Sequence, residues 1–165
     1  MKTTILAKSE WHLGEPTVKL RRATELERAA LTVAMNVLPV GRDPRGTPPL
    51  AEIPVVFASR WGEIGTTIKL MRQMFEELEM SPAGFSASVH NAAPGALSLM
   101  TKNHAPYTAI AAGPDSYEMG LLEAKMTPGK VLFVYAEEST PEMYLPHFPA
   151  PEKAHAVALL LDNQP

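Results

Sequence analysis

The side chains able to do chemistry are few, and the first constraint is an absence: the 165 residues contain no cysteine. That removes disulfides, thiolate nucleophiles and sulfur-ligated zinc or iron–sulfur centres together. Any catalysis by this chain would fall to Ser, Thr, Asp, Glu, His or Lys. Histidines stand at positions 12, 90, 104, 147 and 155, and no two have the close spacing that sets a pair of metal ligands on one helix face. A carboxylate–histidine site gathered from distant segments stays open at this level, but no metal is expected. None of the 10 glycines falls in a G-x-G-x-x-G or G-x-x-x-x-G-K-[ST] string, and the nearest run, Gly113 to Gly120, lacks the pattern. No phosphate-cradling loop, and so no nucleotide cofactor, is expected.

Two residues remain as a candidate nucleophile and base. Ser116 follows an apolar segment and stands near a helix start, where backbone amides stabilise an oxyanion. No G-x-S-x-G elbow surrounds it, and Asp115 and Ser116 both suit a helix N-cap. His90 lies among small residues and is the best candidate base, although a lone histidine in a packed helix ordinarily serves as a structural hydrogen-bonder.

The elements that must position these residues follow from periodicity and turn chemistry. Apolar or β-branched runs predict strands at 2–8, 53–59, 108–112, 130–136 and 155–161. Leu26, Ala29, Ala30, Val33, Ala34 and Val37 recur at helical spacing, and Thr24 with Glu27 reads as a capping box. Ile68, Met71, Met74, Phe75 and Leu78 predict a second, core-facing helix over 66–78. Ser81-Pro82 opens a third, running through small residues (Ser86, Ala87, Ser88, Ala92, Ala93, Gly95, Ala96) towards Met100. A fourth starts at Asp115 or Ser116 and reaches about Lys125. The tracts 39–49 and 139–151 are proline-rich loops. Strands alternating with helices imply an α/β domain with a largely parallel sheet covered on both faces. The small-residue helix admits close approach of another backbone, either from within the domain or from a partner.

Composition narrows the class. A hydrophobic share of 45% supplies a core, and 20% charged residues is ordinary. A net charge of −3 without a basic cluster beyond Lys19, Arg21 and Arg22 argues against a nucleic-acid partner. The apolar runs are too short to span a bilayer, and the first residues do not read as a secretory signal. A soluble, cytoplasmic single domain is the expectation.

Three strings go beyond a generic α/β chain. They are Phe57-Ala-Ser-Arg-Trp-Gly-Glu-Ile64, Ser81-Pro-Ala-Gly-Phe-Ser-Ala-Ser-Val-His-Asn-Ala-Ala-Pro-Gly95, and Ala105-Pro-Tyr-Thr-Ala-Ile-Ala-Ala-Gly-Pro-Asp-Ser116, with Gly120-Leu-Leu-Glu-Ala124 behind them. Together they resemble the β-ketoacyl synthase-like N-terminal domain family of chain-length factors, and in particular the small ketosynthase-partner subunits of bacterial aryl polyene clusters. The resemblance is strong over residues 50–138 and rests on element order in the flanks. It implies half of a thiolase-like fold, with a five-stranded mixed sheet between helices (α/β/α), and residues 1–165 as one whole half-domain.

The resemblance also implies what is missing. Active ketosynthases carry their nucleophilic cysteine in T-A-C-x-x-G, whereas here Thr108-Ala109-Ile110-Ala111-Ala112-Gly113 puts Ile110 at that position. Isoleucine is neither acylated nor ionised, and the family's catalytic histidines lie in a second half that 165 residues do not contain. The implied function is a non-catalytic subunit that heterodimerises with a full-length β-ketoacyl synthase in fatty acid or polyketide elongation, stabilising it and lining part of its acyl tunnel. The family pairs through the strand before the nucleophile, so the implied partner interface is Phe85, Ser88, His90, Asn91, Ala93, Thr108, Ala109, Ile110, Ala111 and Ala112. Acyl carrier protein would be met through the complex, with Arg60, Lys69 and Arg72 as weak basic candidates. Two other readings stay open: an acyl-carrier decarboxylase or hydrolase using Ser116 and His90, and a homodimer with its own acyl-binding role.

Overall fold

The computed structural model describes residues 2–21, 23–38, 52–148 and 151–164. Five strands, β1 (Lys2–His12), β2 (Val55–Ala58), β3 (Tyr107–Ile110), β4 (Gly129–Glu137) and β5 (His155–Gln164), form one sheet in the order β1-β5-β4-β2-β3. Each expected strand is present, and β1, β4 and β5 run longer than their apolar cores. The expected loop at 39–49 lies outside the described residues. The tract from 139 carries a short 3-10 turn, Glu142–His147.

The sheet is mixed, which corrects the largely parallel arrangement that alternation alone suggested. β2 runs parallel to both β3 and β4, but β5 is antiparallel to β4 and to β1. A parallel return needs a crossover, usually a helix. Among its described residues the connection from β4 to β5 holds only the 3-10 turn, and the chain comes back antiparallel.

Helix α1 (Glu25–Val37) covers one face of the sheet. Its capping box forms as expected: the Thr24 hydroxyl accepts from the Glu27 amide at 3.0 Å, and the Glu27 carboxylate accepts from the Thr24 amide at 2.8 Å. Its buried residues, Leu26, Ala29, Ala30, Leu31, Val33 and Ala34 among them, pack with Val55, Phe57, Leu132 and Leu160 into the larger core. Helix α5 (Ser116–Met126) covers the other face, over Val56, Ala58, Phe133 and Leu161. Asn163 closes its C-terminal end by donating to the carbonyls of Ala124 and Thr127, which the helix itself leaves without partners.

Gly120 sets how closely α5 sits. A Cβ there would stand 2.5 Å from the Ala58 Cβ and 2.8 Å from the Phe133 ring. Gly120→Ala is expected to lift α5 from the sheet and cost about 1–3 kcal/mol, despite alanine's advantage of about 1 kcal/mol in a helix. Thermal denaturation checks this, and an unchanged or higher midpoint would contradict it.

The remaining helices differ from expectation in instructive ways. Helix α2 (Ile64–Arg72) continues as a π-turn, Gln73–Glu77, and stops at Leu78 in the left-handed region, φ 54°. It is not core-facing. Leu70 is its buried residue, whereas Met71 and Met74 are exposed, Phe75 is 72% exposed and Leu78 87%. The apolar periodicity is real, but the surface that would cover it is not among the described residues. The small-residue region is two helices, α3 (Pro82–Ala87) and α4 (Ala92–Thr101). Ser81 caps α3 by accepting from the Gly84 amide at 3.2 Å, with Pro82 in the first turn. The break at 88–91 follows from Ser88, whose hydroxyl and amide both donate to the Phe85 carbonyl, and from His90, which turns inward.

Candidate functional site

The three strings singled out above meet at one residue, Ser59, just beyond the end of β2. Its amide donates to the Ile110 carbonyl at 3.1 Å, which extends the β2–β3 ladder by one bond. Its own carbonyl accepts from His90 Nε2 at 2.8 Å. Its hydroxyl accepts from the Gly62 amide at 2.8 Å and donates to Glu137 at 3.2 Å. Glu137 also accepts from the Arg60 amide. Ser59 thus joins β2, the end of β3, the α3–α4 turn and the end of β4, with each of its polar groups used.

The turn around it is tight. Gly62 has φ +57°, where a side chain is strained, and a Cβ on it would come within 3.0 Å of the His90 ring. His90 also sets its ring edge against Phe57, with centroids 5.9 Å apart. Glu63, Glu137 and Glu138 surround this turn. Glu138 accepts from the Gly65 amide at 2.7 Å, and Glu63 accepts from the Thr24 hydroxyl at 2.8 Å, which couples the turn to the capping box of α1. Burial raises all three carboxyl pKa values, that of Glu63 to about 8, with the neighbouring Glu138 and Glu27 adding to it and the Thr24 hydrogen bond opposing it.

Arg60 is held among aromatic rings. Its guanidinium lies 4.9 Å from the ring centroids of Trp61 and Phe148, and 3.9 Å from the Glu152 carboxylate. That removes Arg60 from the basic candidates for carrier docking, because its charge is spent inside the fold. Lys69 and Arg72 remain exposed on α2.

The expected interface residues divide. β3 has a neighbour on one side only, β2, so among the described residues Tyr107–Ile110 is an edge. Thr108 is exposed, and Ala109 and Ile110 are half-buried. The strand ends at Ile110 and does not continue to Ala112: Ala111 is exposed past its end, and the Ala112 amide donates to the Ser116 hydroxyl at 3.0 Å to start the turn into α5. Phe85 is exposed on α3, Ser88 ends that helix, and His90 and Asn91 form the break. Ala93 is buried in the core against α1, because α4 turns that face inward. Its smallness serves packing within the chain.

Ser116 and His90 are both committed to structure. The Ser116 side chain is fully buried, and its hydroxyl donates to the Gly113 carbonyl at 2.7 Å while accepting from Ala112. Asp115 occupies the N-cap position of α5 without a side-chain cap bond. Among the described residues no group of three or more histidine, aspartate or glutamate side chains stands together as a metal site.

Residues 11–165 match the family described as the β-ketoacyl synthase N-terminal domain. The chain belongs to that family. Among solved structures, it is similar to a chain in the complex of the ketosynthase ApeO with its chain length factor ApeC from Xenorhabdus doucetiae. The TM-score is 0.77 and the sequence identity 27%, over 91% of this chain and 64% of that one. The chain therefore spans less than two thirds of the length of that relative. No curated protein matches the sequence. The β-ketoacyl synthase N-terminal domain here is half of a thiolase-like fold, with its five-stranded mixed sheet between α1 on one face and α5 on the other. No helix among the described residues is long and apolar enough to cross a membrane.

The sequence reading missed the carboxylates around Ser59. One local signal was available: Glu137-Glu138 closes the apolar run of β4 without a turn residue, so at least one acid is carried into the interior.

Proposed function

We propose that this chain is a partner subunit, without catalysis of its own, for a full-length β-ketoacyl-carrier-protein synthase in fatty acid or polyketide elongation of the aryl polyene type. The observation that carries this reading is the end of β3. Ile110 closes an edge strand whose outer side has no partner within the described chain, two residues before the turn into α5. An alkyl side chain at that place takes up no acyl group and loses no proton. An edge strand is a liability unless something pairs with it or covers it, and a synthase subunit of the same fold offers a matching edge. The likeness to a complex of a ketosynthase with its chain length factor supports the same reading.

In this proposal residues 1–165 act as one half-domain that completes the dimer, stabilises the synthase and lines part of its acyl tunnel. Acyl carrier protein meets the chain through the complex. The test is native mass of the protein alone and co-expressed with a full-length β-ketoacyl synthase from the same organism. A one-to-one complex, or a higher assembly with equal numbers of each chain, is expected, and Ile110→Asp or Ala111→Asp is expected to break it. A stable homodimer indifferent to the ketosynthase would overturn the reading.

A further inference from the structure

One exposed apolar surface among the described residues lies away from β3. It is the ridge made by α2, its π-turn and the start of α3. Met71, Met74, Phe75, Leu78, Met80 and Phe85 are all exposed on it. Two grooves flank the ridge and share Met71. One runs between α2 and α3 and is lined by Leu70, Met71, Met74, Met80 and Phe85. The other lies between α2 and the 3-10 turn, with Ile68, Met71 and Phe75 beside Arg72 and Glu76 on one wall and Met143 and Tyr144 on the other.

Met71 joins Met74, Met80 and Phe85 along one groove and Phe75 along the other, and monomeric surfaces rarely leave large joined apolar patches uncovered. A large apolar side chain presents on the order of 200 Å² when bare, so the exposed fractions of the six ridge residues bring on the order of 700 Å². That is close to the roughly 800 Å² that each partner contributes to an interface of standard size. Methionine suits such a surface, since its flexible thioether moulds to the shape it meets.

We infer that the α2–α3 ridge is the main docking surface for the ketosynthase subunit, which would present large apolar side chains to the two grooves on either side of Met71. The inference rests on the partner-subunit reading and adds to it where the contact is centred. Phe85 links the two surfaces, since it belongs to the ridge and to the interface set that includes β3. The edge strand then supplies backbone register, and the ridge supplies most of the affinity.

The test uses this chain and a full-length β-ketoacyl synthase from the same organism, with affinity read by titration calorimetry for wild type and for Phe75→Glu combined with Leu78→Glu. Both side chains are mostly exposed, so the variant is expected to melt as wild type does. Its affinity is expected to fall by at least about a hundredfold, the scale of losing a central apolar anchor. If the glutamates lower the melting midpoint, Phe75→Ala with Leu78→Ala takes their place, with a loss of about tenfold expected. A wild-type complex that the variants bind within about threefold overturns the ridge and leaves the partner reading standing. Failure of the wild type to bind any ketosynthase overturns both. A wild-type homodimer that the same variants dissolve would make a second copy the occupant, against the inference.

Discussion

Glu137→Ala is expected to lower the unfolding free energy by about 3–5 kcal/mol, the largest loss expected of any single side chain at the site. The carboxylate is almost wholly buried and accepts from two donors, the Ser59 hydroxyl and the Arg60 amide. Alanine leaves both without an acceptor, at about 1–3 kcal/mol each, and adds a cavity where the side chain stood. For a domain of this size that corresponds to a fall of about 10 °C in the melting midpoint. Glu137→Gln keeps an oxygen for one donor and is expected to cost less than half as much. Paired thermal melts of the two variants decide it, and a loss below about 1 kcal/mol for alanine would mean that Ser59 is held by its other partners alone.

The second large effect is a dependence on pH whose sign runs against the usual behaviour of carboxylates. Glu63 is 2% exposed, and burial holds its pKa at about 8, against an ordinary 4.5. Between these values the folded chain keeps a proton that the unfolded chain has lost. Stability is therefore greatest below about pH 4.5 as far as this group is concerned, and falls as pH rises through about 8. A tenfold change in proton affinity is worth about 1.4 kcal/mol, so the full loss is on the order of 2–5 kcal/mol. Glu137 and Glu138 are shifted in the same direction and add to the slope. Glu63→Gln has no proton to lose and still accepts from Thr24. It is expected to match wild type at pH 5 and to exceed it at pH 9 by about 2 kcal/mol or more. Parallel pH profiles for the two proteins would show that water or local opening already relieves the buried charge.

What could be read in advance was local, and what could not depends on residues distant in sequence or on what lies outside the described residues. The capping box at Thr24 and Glu27, the cap at Ser81-Pro82 and the five strands each depend on neighbours within a few residues, and all are present. The mixed sheet was foreseen by family resemblance, while alternation of elements missed the antiparallel return of β5. The Ser59 junction joins positions 59, 90, 110 and 137, and no periodicity within a window of helix or strand length encodes that. Helix α2 failed for another reason. Its spacing states that one face is apolar, but it cannot state whether that face meets the core, and among the described residues it does not. The length of β3 was overestimated because Ala111 and Ala112 suit a strand as well as a turn, and the bond from the Ala112 amide to Ser116 settles the choice.

The pairing of β1 with β5 bears on how the chain reaches its fold. Lys2 lies opposite Gln164, and His12 opposite His155, so the two strands of the sheet most distant in sequence are zipped together. β1 has no place in the sheet without β5, and joining segments so far apart in sequence costs about 4 kcal/mol of loop-closure entropy. A sheet closed by its most distant contacts folds slowly. Until that contact forms, β1 is unpaired while the apolar side of α2 is exposed. An unpaired strand and a bare apolar face in an unfinished fold are where aggregation starts, so the closing of β1 onto β5 decides how long the folding chain is vulnerable.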